Sequence, residues 1–96
     1  MEIAELQRTL HRTYYERDLE RGPDATFRWL TEEVGELARA LRHGRREELE
    51  LEFSDVIAWL ASLANLVDVD LNQAVGRYAN GCPKCGVSPC TCAFTP

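Results

Sequence analysis

Residues 29–59 read WLTEEVGELARALRHGRREELELEFSDVIAW. Two amphipathic runs flank His43-Gly44-Arg45, and a glycine between two helical patterns closes the first helix and permits a reversal. Folded at Gly44, the stretch becomes an antiparallel helical hairpin in which three pairs come level. Glu36 and Glu52 each lie eight residues from the glycine, Glu33 and Asp55 eleven, and Trp29 and Trp59 fifteen. At 1.5 Å of rise per residue the four carboxylates stand roughly 12 to 17 Å from the turn, two on each helix. The two acids of each helix are three residues apart, hence neighbours on one face.

Like charges gathered in this way repel and raise one another's pKa unless a cation sits among them. Carboxylate oxygens are hard ligands that suit Mg²⁺ or Mn²⁺ better than zinc. The competing reading is a solvated, salt-bridged row, because an E-x-x-E spacing is common and the chain repeats it at Glu2/Glu5 and Glu47/Glu50. Context separates the two. On a helical wheel the second helix centres its apolar face on Leu30, Val34, Leu37 and Leu41, with Glu33 at the border and Glu36 further round, in line with Trp29. The third helix carries Leu49, Phe53, Val56, Leu60, Leu63 and Val67 as its expected core face and Glu52, Asp55, Trp59 and Leu66 as a flanking row. A purely solvated charge row does not ordinarily carry a tryptophan at the same height on both helices.

The rest of the chain frames this hairpin. A first helix is expected over 2–20, with Ile3, Leu6, Leu10 and Tyr14 at helical spacing and His11 on the surface. Gly22-Pro23 breaks it, and the second helix spans 24–42. The third covers 46–66. Asp70 and Gln73 have the capping-box spacing for a short fourth helix over 71–79. The fold class is therefore all-α, a helical hairpin core with a flanking N-terminal helix and a short fourth helix. At 96 residues the chain makes one domain at most. Two flanking apolar faces on one hairpin exceed what a monomer of this size covers, so assembly into helical bundles, as a homodimer or homotetramer, is expected.

Net charge is −5 with no basic stripe beyond residues 42–46, which argues against a nucleic-acid partner. No apolar run is long enough to span a membrane, and acids stand where a signal peptide needs positive charge, so a cytoplasmic location is expected. In that compartment the tail, GCPKCGVSPCTCAFTP over 81–96, reads as a zinc knuckle with Cys82, Cys85, Cys90 and Cys92 as ligands. A disulfide or redox-sensing tail and an unstructured one remain open alternatives. The helical part is then 1–80.

With these residues in view, E-x-x-E followed after fifteen residues by E-x-x-D resembles the MazG-type all-alpha nucleoside triphosphate pyrophosphohydrolases. TEEVGELARAL, EFSDVIAWLASLANL and VDLNQAV carry the likeness, which covers 6–80 and stops before the cysteines. The resemblance implies hydrolysis of a ribo- or deoxyribonucleoside triphosphate to monophosphate and pyrophosphate, as nucleotide-pool house-cleaning. It implies Glu33, Glu36, Glu52 and Asp55 as Mg²⁺ ligands. Glu32 matches the first of the family's paired glutamates and is expected as a supporting contact or, more weakly, a general base. Arg77, where lysine is more usual, and Asn80 stand where the family contacts phosphate. Trp29 and Trp59 either stack on the base or pack an interface. The rival is a non-catalytic nucleotide-binding or zinc-tail protein-interaction module. A di-iron bundle is disfavoured, since neither His11 nor His43 lies three residues after a glutamate.

Overall fold

A computed structural model describes residues 1–93; the last three residues of the expected cysteine-rich tail, 94–96, lie outside that description. Four α-helices follow one another, α1 Ile3–Arg21, α2 Pro23–His43, α3 Arg46–Leu66 and α4 Leu71–Val75, and a 3-10 turn, Gly76–Tyr78, continues the last. No strand occurs among the described residues.

Local chemistry sets the boundaries. Glu2 caps α1 in a reciprocal box with Glu5, whose carboxylate accepts from the Glu2 amide at 3.2 Å. Gly22, at φ +84°, ends α1 by donating its N–H to the Asp18 carbonyl at 2.8 Å, and Pro23 opens α2 where a missing amide costs nothing. Gly44, at φ +71°, closes α2 in the left-handed conformation and turns the chain back. At the far end of α3 the chain is held by Gln7. Its side-chain amide donates to the Val69 carbonyl at 2.7 Å and accepts from the Leu71 amide at 2.9 Å, while Asn65 donates to the Gln7 carbonyl at 3.1 Å. The fourth helix is shorter than the 71–79 expected. Gly76 adds backbone entropy after barely more than one turn, and the segment tightens there into 3-10 geometry.

The hairpin α2–α3 is the centre of the molecule, with α1 packed mainly on α3. Its inner face corrects the helical-wheel expectation. Leu30 is buried as foreseen, but Val34 and Leu41 are 49% and 59% exposed, and on α3 Phe53 and Leu60 are 57% and 43% exposed. The buried positions are instead mostly small: Thr26, Ala40, Ala61, Ser62 and Ala64. Leu37 on α2 and Leu49, Val56 and Leu63 on α3 stay half-buried, so the expected faces are covered only in part. The radius of gyration, 15.7 Å, exceeds the roughly 12.5 Å of a compact domain of this length, as the elongated 43 × 35 × 26 Å shape requires.

Candidate active site

The acid row is no more exposed than much of the aliphatic face. Glu33 from α2 and Glu52 and Asp55 from α3 are each half-buried, and each offers a carboxylate oxygen within 4.8 Å of the others. Partial desolvation is the first cause that pushes Glu33 above the ordinary carboxylate value; a hydrogen bond with Asp55 and the charges of Asp55, Glu52 and Glu36 add to it. Glu52 moves the same way, from desolvation first and then from Asp55 and Glu36, against a small opposing effect of Arg39. Glu36, one turn from Glu33 and half-buried, has its Oε2 3.4 Å from the Arg39 guanidinium. The structure thus brings three of the four expected acids together and sets the fourth at their edge. Three hard oxygen donors under mutual repulsion fit a small divalent cation.

Beside the acids, α1 and α3 enclose a pocket of about 280 Å³ lined by Leu10, Tyr14, Arg17, Asp18, Arg21, Asp55, Ala58, Trp59 and Ser62. Asp55 belongs to both features. Trp29 and Trp59 stack on each other, ring centroids 6.0 Å apart and 16° from parallel, and the Arg21 guanidinium lies 4.8 Å over Trp59. Arg21 also donates to Asp18 Oδ1 at 2.9 Å and to Thr26 Oγ1 at 3.2 Å. Asp18 is 3% exposed, and its second oxygen, Oδ2, is buried without a hydrogen-bond partner. A buried carboxylate oxygen without a partner is uncommon in a folded protein.

The remaining expected residues lie elsewhere. Glu32 is exposed on a separate groove with Ala25, Arg28 and Trp29. Arg77 sits in the 3-10 turn with its guanidinium 5.4 Å from the Tyr78 ring centroid, and Asn80 follows it; both are exposed. The four cysteines of the tail gather, their sulfurs all within 4.8 Å of one another. Amide hydrogen bonds from Thr91 and Val87 lower the Cys85 thiol to about 6, whereas neighbouring thiols, Cys90 foremost, raise Cys92 to about 11.

The profile of the MazG nucleotide pyrophosphohydrolase domain matches residues 21–83, about two thirds of the chain. The protein belongs to the MazG family. Membership assigns it in general terms to the nucleotide pyrophosphohydrolases, for which a nucleotide substrate and a divalent metal are typical. No curated protein matches the chain. The MazG match takes in the whole hairpin with its acids and reaches Pro83, while most of α1, including Tyr14, Arg17 and Asp18, precedes it. Tyr14 stands on the expected apolar face of the first helix, whereas nothing in the sequence distinguishes Arg17 or Asp18. An Asp-x-x-Arg pair looks like a solvated i, i+3 ion pair, and only the packing of α1 on α3 buries it.

Proposed function

We propose that this MazG protein is a Mg²⁺- or Mn²⁺-dependent nucleoside triphosphate pyrophosphohydrolase, cleaving between the α and β phosphates to give a nucleoside monophosphate and pyrophosphate. The observation that carries the reading is the convergence of Glu33, Glu52 and Asp55 from two helices on one small volume next to a pocket. These three acids would hold the ion, with Glu36 joining once it leaves Arg39. When bound, the ion supplies Lewis-acid polarisation of the phosphates. Arg77 and Asn80, exposed in and after the 3-10 turn, and Glu32, exposed on its own groove, stand apart from these acids and are given no part in holding the ion.

The pocket between α1 and α3 takes the base. Trp59 forms one wall, with Trp29 behind it, and Asp18 Oδ2 offers a buried acceptor that suits a base bearing an exocyclic amino group. A hydrogen-bonding group buried to meet one partner rejects analogues that leave it unpaired. The test is pyrophosphate release from a panel of ribo- and deoxyribonucleoside triphosphates with Mg²⁺. Turnover is expected, faster for amino-bearing bases than for uracil or thymine, and lost in Asp55→Asn and Glu36→Gln with helix content intact. Tight nucleotide binding with no pyrophosphate from any member would instead support a non-catalytic module.

A further inference from the structure

The segment after the helices has no buried core of its own. Among the described residues of 81–93 none is buried, Val87 is exposed, and the backbone hydrogen bonds that hold the segment are local, reaching back only to Tyr78. Gly81 donates to the Tyr78 carbonyl at 3.1 Å, Gly86 to the Cys82 carbonyl at 2.7 Å and Cys82 to the Val87 carbonyl at 3.0 Å. Gly81 adopts φ +108°, and a Cβ there would stand 2.6 Å from the Val87 oxygen, so the turn is built tightly around the first cysteine pair. A chain of this length cannot hold such a turn by apolar burial, and small units of this kind are usually cross-linked.

The sulfurs indicate which cross-link. Cys82 and Cys92 stand 3.7 Å apart and Cys85 and Cys90 3.9 Å, nearly twice a disulfide bond of about 2.05 Å. Four thiolates at about 2.3 Å from a tetrahedral zinc have neighbouring sulfurs about 3.8 Å apart. The two measured separations straddle that value, and the four sulfurs together span no more than 4.8 Å. Two backbone amides point at the cluster as well. Thr91 donates to Cys85 Sγ at 3.4 Å and Cys92 to Cys90 Sγ at 3.3 Å, the orientation that stabilises sulfur in its charged form.

We propose that Cys82, Cys85, Cys90 and Cys92 bind one structural Zn²⁺, with all four positions filled by protein so that none is left for substrate. Each thiol gives up its proton on ligation, and the metal supplies the folding energy that the tail lacks. The site is separate from the acid cluster in ligand chemistry, since soft thiolates select zinc and hard carboxylates do not.

The experiment uses the full chain purified with reductant. Native mass spectrometry is expected to find one zinc per chain, the four thiols to resist a thiol reagent until a chelator competes, and Co²⁺ exchange to give thiolate-to-cobalt charge-transfer and tetrahedral ligand-field bands. Cys85→Ser is expected to lose stoichiometric zinc while far-UV circular dichroism of the helices stays; Lys84→Ala and Asp55→Asn keep the metal. A metal-free chain with four freely reactive thiols, a mass lowered by two disulfides, or iron in place of zinc would each overturn the assignment.

Discussion

Asp18 ties the junction of α1 and α2 to the wall of the pocket. It neutralises Arg21, which in turn holds Thr26 and covers Trp59, so Asp18→Ala leaves a guanidinium at the pocket wall without its carboxylate. A loss of about 1 to 3 kcal/mol is expected in urea unfolding. Asp18→Asn keeps the shape and should cost less stability while blunting discrimination between bases in the substrate panel. Glu33 and Glu52 make a second test, of pH. Both have folded-state pKa values raised above the ordinary 4.5, so their protonated forms favour the folded state. That stability is fully present below 4.5 and is lost as pH rises through the folded values. With chelator present, the melting temperature is expected to fall as pH climbs from 4.5 towards neutrality, and Glu33→Gln should flatten the slope. The placing of these acids on one hairpin was legible because glycine and the equal spacings fix their height. Asp18 was not, because burial of a polar side chain depends on a partner helix that spacing does not name.

At the scale of elements, capping chemistry was the readable part. Gly22, Pro23, Gly44 and Asp70 each stand where a helix ends or begins, and α3 runs over the expected residues. The inner face of the hairpin was less readable. A wheel carries two apolar arcs, large aliphatic and small, and hydrophobicity alone ranks the large one inward. Burial of the small residues Ala40, Ala61 and Ala64, with Val34, Leu41, Phe53 and Leu60 left exposed, reverses that ranking. Gly44→Ala should cost about 1 to 2 kcal/mol, since the left-handed conformation strains any Cβ. Gln7, which nothing in the local sequence distinguishes, ties α1 to the start of α4. Gln7→Ala is expected to speed hydrogen exchange at the Leu71 amide selectively and leave the α2–α3 hairpin protected.

For the whole molecule, the outward stripes Phe27, Val34 and Leu41 on α2 and Phe53, Ile57 and Leu60 on α3 remain more than two-fifths exposed. We propose that these exposed apolar side chains pack against a second copy of the chain. Light scattering coupled to size exclusion is expected to return at least twice the mass of one chain, and Phe53→Glu to return one; a monodisperse monomer for the parent chain would remove self-association from the account. The tryptophan pair has its own consequence at this scale. The chain contains two indoles in all, and they face each other across the arms of the hairpin. Coupling of the intense indole transitions at that separation gives a signed couplet in far-ultraviolet circular dichroism, so the protein carries an intrinsic optical gauge of the spacing between its arms.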